Sequence, residues 1–411
     1  MNDINIAYIG GGSKGWAWGL MSDLATEESL SGNVRLYDID FGAARDNEII
    51  GNYLLDRTDV SGKWNYKAVE KIGEALTGAD FVIISILPGT FQEMESDVHA
   101  PEKYRIYQSV GDSVGPGGLM RALRTIPMYV EIAENIKKFC PNTWVINYTN
   151  PMTLCTRTLY EVFPQIKAIG CCHEVFSTQR LLAKAVEHTE GIGGITRTEI
   201  KTNVLGINHF TWIDKAAYKN IDIMPIYKKI VDDFYETGYI DTVDGNWVNV
   251  AWATAQRVKF DLFRRYGLIA AAGDRHLAEF VPNTWYLKNP QTVYDWKFGL
   301  TPVSNRLKDL DERNEKARKL KTKEIPFELE ETGEDGVRII KALLGLEDIV
   351  TNVNLPNAGQ MGGVPDGVVV ETNALFSSDS VKPIHSGSLP YPLLNLVTRH
   401  IYNQETILKA A

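Results

Sequence analysis

The stretch "YIGGGSKGWAWGLMSDL" (8–24) limits the possible folds more than any other. It places Gly10, Gly12 and Gly15 in G-x-G-x-x-G spacing, after an apolar run that reads as a strand and before a run that reads as a helix. Small residues there let backbone approach a pyrophosphate, and free N–H groups at a helix start face its charge. Asp38 ends the next predicted strand, roughly 20 residues on, where a carboxylate can hydrogen-bond a ribose 2′-hydroxyl. An acid at that place favours NAD over NADP, whose 2′-phosphate it would repel. Gly10, Gly12, Ser13, Gly15 and Asp38 are therefore the expected dinucleotide-binding residues. A phosphate-loop NTPase does not fit, because no Gly-Lys-Ser/Thr follows at the required spacing.

The rest of the first half agrees. "INIAYIG" (4–10), "NVRLYDI" (33–39), "ADFVIISIL" (79–87), "TWVINYT" (143–149) and "IKAIGCC" (166–172) read as strands buried on both faces. Helical stretches lie between and after them, at about 16–26, 43–58, 118–138, 151–162 and 176–188. Such alternation predicts an α/β fold with a Rossmann-like, doubly wound parallel sheet.

The second half changes style. "TRTEIKTNVLGINHFTWIDKAAY" (196–218) reads as an antiparallel pair with Gly206 and Asn208 near its turn. Helices follow near 247–266 and 310–323, and "DLDERNEKARKL" within the latter reads as a solvated face. "NVNLPNAGQMGGVPDGVVVETNAL" (352–375) is too irregular for a helix. The expected division is a dinucleotide-binding domain over 1–195 and an α+β domain over 196–411 for substrate, metal and oligomerisation, with the boundary near "EGIGGIT".

With 411 residues, 44% of them hydrophobic, the chain can bury a large core. A net charge of −9 argues against nucleic acid as the main partner. The start lacks the pattern of a signal peptide, and no run of about 18 apolar residues suggests a membrane span. Four cysteines, two of them adjacent, do not suggest a disulfide framework. A cytoplasmic enzyme is expected.

The remaining motifs carry chemistry. "NYTNPM" (147–152) follows a strand predicted to end near the nicotinamide, so Asn147 and Asn150 can hydrogen-bond there; Asn150 could instead cap the next helix. "KAIGCCHEVF" (167–176) ends a strand in Cys171, Cys172 and His173, and "LGINHFTW" (205–212) brings His209 to a turn. A thiolate and an imidazole from different elements can share a divalent ion, with water and substrate oxygens completing the shell. Spacing alone does not decide it.

In this order, "GGGS", "NYTNP", "GCCHEV", "GINHFTW" and "GDRHLAEF" (273–280) resemble glycoside hydrolase family 4, with "NVNLPN" and "VVVETNAL" fitting its C-terminal pattern. The resemblance covers nearly the whole chain. It implies NAD and a divalent metal such as Mn²⁺, with a second domain like that of lactate and malate dehydrogenases. It also implies homodimers or homotetramers. Its chemistry departs from two-carboxylate glycoside hydrolysis. NAD⁺ takes hydride from sugar C3, a base removes the acidified C2 proton, and the glycosidic oxygen leaves C1. Water then adds and the hydride returns.

By this resemblance the metal ligands are Cys172 and His209, and Cys171 packs. Asp274 is the expected base, with His276 as its competitor and a turn-capping role as the alternative. His173 or Asp112 assists the leaving group, although Asp112, in "SVGDSVGPGG" (109–118), could instead cap a helix. Cys172-His173-Glu174-Val175 resembles the branch acting on α-galacturonides. A galacturonate carboxylate needs a cation, preferably a guanidinium. Arg275 is the candidate, with Arg121, Arg124 and Lys14 as alternatives, and Asn150 and His276 join it at the sugar. Other readings are a family 4 α-glucosidase, α-galactosidase or 6-phospho-glucosidase, an NAD-dependent 2-hydroxyacid dehydrogenase, and a non-catalytic NAD-binding protein.

Overall fold

The computed structural model describes residues 2–239 and 254–411. Strands β1 (Asn2–Ile9), β2 (Leu30–Tyr37), β3 (Lys63–Val69), β4 (Phe81–Ile84), β5 (Trp144–Asn147) and β6 (Lys167–Gly170) form a parallel sheet. Their spatial order is β3-β2-β1-β4-β5-β6. The winding reverses between β1 and β4, which opens a crevice at the carboxyl ends of those strands. The five strands read from apolar runs are all present. β3 was not among them: its residues alternate between exposed and buried, as suits a strand at a sheet edge.

Helices cover both faces. Trp16–Thr26 and Gly336–Leu343 share one core with Tyr8, Ile83, Ile146 and Ile169. Gly115–Phe139 and Met152–Val162 cover the other face, over Ile9, Val82, Ile84 and Val145. Each of β4's four side chains is buried, worth about 1.5–3 kcal/mol apiece.

In the second half, β7 (Ile200–Ile207) and β8 (Phe210–Tyr218) form the expected antiparallel pair, turning at Asn208 and His209. Gly206 has φ +144°, and a Cβ there would lie 2.6 Å from the Phe210 carbonyl oxygen. Short strands β9 (Ile221–Asp222) and β10 (Ile269–Ala270) pair with β8. The Gly- and Pro-rich stretch proves to hold β11 (Ile349–Pro356), a brief β12 (Met361–Gly362) and much of β13 (Val369–Ser377). β11, β13 and β14 (Ser380–Pro383) extend the first sheet antiparallel beyond β6, while β12 pairs with β15 (Gly387–Ser388). The second half thus completes the sheet of the first.

The helix expected near 247–266 is Arg257–Tyr266 where described; 247–253 lies outside the described residues. The charged helix begins earlier than expected, at Val303, and runs to Lys321. Among the described residues, no helix is long and apolar enough to cross a membrane.

Candidate active site

The glycine loop closes β1 as its spacing demands. Gly10 has φ +93°, and a Cβ there would lie 2.0 Å from the Ser85 carbonyl oxygen, so only glycine fits between β1 and β4. Gly10 and Gly11 both donate N–H to the Tyr37 carbonyl at 2.9 Å. Asn47 donates its amide to the carbonyls of Gly11 and Ser13 at 2.8 and 3.1 Å, holding the loop from beneath. Asp38 Oδ2 accepts the Gly12 N–H at 2.9 Å, and Oδ1 accepts that of Asp40. Gly15 precedes the Trp16–Thr26 helix, whose first N–H groups therefore face the crevice. Asn147, also assigned to the dinucleotide, is fully buried. It accepts from Tyr129 Oη at 2.5 Å and from Thr149 N at 2.9 Å.

At the same end of the sheet, Asp112, His209 and His276 bring one ligand atom each within 4.8 Å of one another. His209 occupies the β7–β8 turn with φ +63°. The rings of His209 and His276 are 3.8 Å apart between centroids. Ser113 Oγ lies 2.8 Å from Asp112 Oδ1 and 2.9 Å from His209 Nδ1. Asn150 donates to Asp112 Oδ2 at 3.2 Å, so its side chain serves the site and caps no helix. Asp112 likewise makes no helix cap; Val114 stands at that position.

Burial alone would raise the Asp112 pKa. His209, His276 and Arg121 outweigh it and hold the carboxyl well below its ordinary range. Burial, reinforced by His276, drops His209 to about 3, so its imidazole is neutral and offers a lone pair.

The loop carrying Asp112 is fixed by the "GDRHLAEF" helix, Asp274–Phe280. Glu279 Oε1 accepts the N–H groups of Val110 and Gly111 at 2.7 and 2.9 Å. Arg275 Nη2 donates to the Ser109 carbonyl at 2.6 Å, and Ser109 Oγ donates to the Arg275 carbonyl at 2.5 Å. Asp274, fully buried, accepts from Thr254 Oγ1 at 2.6 Å and from Lys259 N at 3.0 Å. Its carboxylate thus holds the start of the Arg257–Tyr266 helix, and His276 is the residue of that motif which joins Asp112 and His209.

Cys172 is buried against Asn208 and lies outside the Asp112–His209–His276 group. Burial, with Glu371 and Glu174 nearby, pushes its thiol far up, so the thiolate requires a neighbouring cation. Glu371 accepts from Asn208 Nδ2 at 3.2 Å and Asn352 Nδ2 at 2.7 Å, a buried polar layer behind Cys172. Cys171 packs in the sheet core, and all four cysteines are free. His173 meets Glu334 at 3.0 Å, and that carboxylate raises its pKa. Glu174 lies between the two histidines, 3.9 Å from His173 and 3.7 Å from His276, and accepts the Gly273 N–H at 2.6 Å.

Arg124 pairs with Asp97, Arg121 Nε donates to the Asn150 carbonyl at 3.0 Å, and Lys14 donates to Asn314 at 2.6 Å. Glu334 carried no sequence signal, whereas Ser113 stood inside the quoted "SVGDSVGPGG". Glu279 and Glu371 stood inside quoted motifs, and their burial was the missing information.

A Rossmann-type sheet with an imidazole–carboxylate group at its carboxyl end defines a protein built to treat a small ligand beside a dinucleotide fold. Residues 5–188 match the family 4 glycosyl hydrolase model, and residues 204–411 match the C-terminal domain of the same family. The chain belongs to glycosyl hydrolase family 4. It is 68% identical over its full length to the alpha-galacturonidase of Thermoanaerobacterium saccharolyticum, covering 88% of that protein. A crystal structure of lplD from Bacillus subtilis superposes with a TM-score of 0.95 at 52% identity, covering 100% of this chain and 92% of that one. A 6-phospho-alpha-glucosidase from gut microorganisms, solved with NAD and Mn²⁺, shares the fold at a TM-score of 0.80 and 17% identity, covering 100% and 90% of the two chains. Malate dehydrogenase from Plasmodium falciparum shares it more distantly, at a TM-score of 0.54, with 99% and 97% covered.

Proposed function

We propose that this chain is an NAD- and divalent-metal-dependent α-galacturonidase. The observation that carries the reading is the full-length 68% identity to an alpha-galacturonidase. The site is compatible with both cofactors. Asn150 Oδ1, Asn208 Oδ1 and His276 Nδ1 are buried without a hydrogen-bond partner among the described residues, and ligands would satisfy them. His209 is neutral and Asp112 ionised, the forms that bind a metal. At the glycine loop, a Cβ on Gly12 would come within 2.7 Å of Ala43 Cβ, so the loop packs against the Phe41–Asn52 helix only with glycine there.

When bound, NAD supplies a hydride acceptor at sugar C3, and Mn²⁺ or another divalent ion supplies Lewis-acid stabilisation of sugar oxygens. Cys172 and His209 would hold the metal, with Asp112 and His276 alongside. Gly10, Gly12, Ser13, Gly15, Asp38 and Asn147 would hold the dinucleotide. Asp274 takes the C2 proton, and burial, which raises its pKa, suits it to that work; His276 is the competitor. His173, whose pKa the Glu334 carboxylate raises, gives a proton to the departing oxygen. Asn150 and Arg275 position the sugar. Cys172-His173-Glu174-Val175 sets the branch of the family.

Assembly as a cytoplasmic homodimer or homotetramer belongs to the same reading. Exposed Leu119, Met120 and Met128, with Tyr391 and Tyr402 on the last helix, offer it an apolar surface.

The test is turnover of p-nitrophenyl α-D-galacturonide with NAD⁺ and Mn²⁺. Nitrophenol release that stops with chelator, without NADH accumulating, is the expected result. Cys172→Ala lowers the rate about 100-fold or more. Stoichiometric NADH would mean a dehydrogenase, and wild-type turnover by Cys172→Ala would remove the metal role.

A further inference from the structure

The charged helix Val303–Lys321 is anchored through its second half. Ala317 and Leu320 are buried in the core that also holds Trp18 and Met21 of the Trp16–Thr26 helix. Tyr53 Oη donates to the Lys321 carbonyl at 3.1 Å, and Lys321 Nζ meets Asp46 Oδ1 at 2.7 Å. Arg313 precedes Ala317 by four residues, so it lies on the same packed face, one turn earlier.

Arg313 and its neighbour Asn314 both reach the glycine loop. Asn314 Oδ1 accepts from Lys14 Nζ at 2.6 Å, inside the G-x-G-x-x-G stretch. Arg313 Nη1 and Cζ lie 3.0 and 3.7 Å from where a Cβ on Gly15 would be. Among the described residues, and apart from Gly15's chain neighbours, no other atom comes within 4 Å of that point. In dinucleotide folds the third glycine ordinarily lets the helix approach the strand. Here its missing side chain makes room for a guanidinium.

That guanidinium makes no hydrogen bond and no ion pair among the described residues. It borders a cavity of about 220 Å³ that Gly15, Trp16 and Tyr148 also line. The acids of the same cavity hold other partners, Asp23 with Thr332 and Glu334 with His173. Two cations, Lys14 and Arg313, thus stand at the positive end of the Trp16–Thr26 helix, which has no acid in its first turn. Like charges gathered in this way cost free energy unless an anion joins them.

We propose that Arg313 binds the pyrophosphate of the dinucleotide, with Lys14 beside it. The inference rests on the NAD-dependent reading and adds a cofactor residue from the second half of the chain. A guanidinium suits the task, because its planar fork takes two phosphate oxygens at once. The proposed reaction regenerates NAD⁺ in every cycle, so a clasp that slows cofactor release does not slow turnover.

The experiment uses Arg313→Ala, Arg313→Lys and, as a charge control on the same helix, Lys308→Ala, each in the full chain. Lys308 is exposed and pairs with Glu312. Calorimetry gives the dissociation constants of NAD⁺ and ADP-ribose, which share the pyrophosphate. The inhibition constant of D-galacturonate is read at saturating NAD⁺. Arg313→Ala weakens NAD⁺ and ADP-ribose by about 10- to 100-fold, as expected for lost charge-assisted bonds. Arg313→Lys recovers part of the loss. Galacturonate inhibition, and every constant of Lys308→Ala, stays within about threefold of wild type. Unchanged NAD⁺ affinity in Arg313→Ala overturns the proposal. So does an equal loss in Lys308→Ala, which would mark a diffuse field and not a contact. Weakened galacturonate with unchanged NAD⁺ would give Arg313 to the sugar and overturn it as well. A wild-type protein that binds neither NAD⁺ nor ADP-ribose refutes the functional reading itself, whatever the variants do.

Discussion

Asp274 has a structural duty in the fold and, in the proposed function, a chemical one. Its carboxylate takes hydrogen bonds from Thr254 and from the Lys259 N–H, which organises the start of a helix. Burial also raises its pKa, which brings it nearer to a working base. Asp274→Asn keeps the shape and removes the basicity. The expected outcome is a fall in kcat of about 100-fold or more, with folding retained by circular dichroism. A normal kcat with a lowered Tm would leave Asp274 a structural residue and pass the proton to His276. At this scale the sequence was informative where functional residues lie close together in the chain. His209 stood in a motif, as did Cys172 and His173. Glu334 reaches His173 from a segment with no pattern, and Ser113 reaches His209 from a quoted loop in which only Asp112 was singled out; both contacts are made only by folding.

An element is legible when its local pattern matches its final surroundings. The parallel strands buried on both faces announced themselves as apolar runs. β3 lies at the edge with one polar face, and its period of two was the available signal. β11 and β13 were masked by the Gly- and Pro-rich connection between them, and their pairing to β6 and β14 is set by tertiary contact. The glycine loop is the opposite case, since its sequence and its geometry make the same demand. Gly10→Ala would place a methyl 2.0 Å from the Ser85 carbonyl oxygen, at a φ that L side chains rarely adopt. The expected cost is at least about 2 kcal/mol in urea unfolding, with NAD⁺ binding lost. Wild-type NAD⁺ affinity in that variant would show that the loop is not the dinucleotide cradle.

Across the whole molecule, the β7–β8 hairpin and the extended sheet are tied by buried charge. Asp335, almost fully buried, accepts from Arg197 Nη2 at 2.7 Å, from Arg338 Nη1 at 2.9 Å and from Thr351 Oγ1 at 2.6 Å. Arg197 leads into β7 and Thr351 belongs to β11, so one carboxylate joins the hairpin to the extended sheet. Burial would raise its pKa, but the Arg197 bond and charge, with Thr351 and Arg338, bring it below the ordinary value. A carboxyl depressed in the folded state contributes stability that is fully present above its unfolded pKa, near 4. That contribution fades as pH falls through the folded value. Asp335→Ala therefore costs about 3 kcal/mol at pH 7, because it leaves Arg197 without its buried partner. The gap between wild type and variant should narrow below about pH 4 as the wild-type carboxyl takes up its proton. Urea unfolding of both proteins between pH 3.5 and pH 7 measures that gap directly. A gap that stayed constant across the range would mean that packing, and not the ionised carboxylate, is what Asp335 contributes to holding the hairpin on the extended sheet.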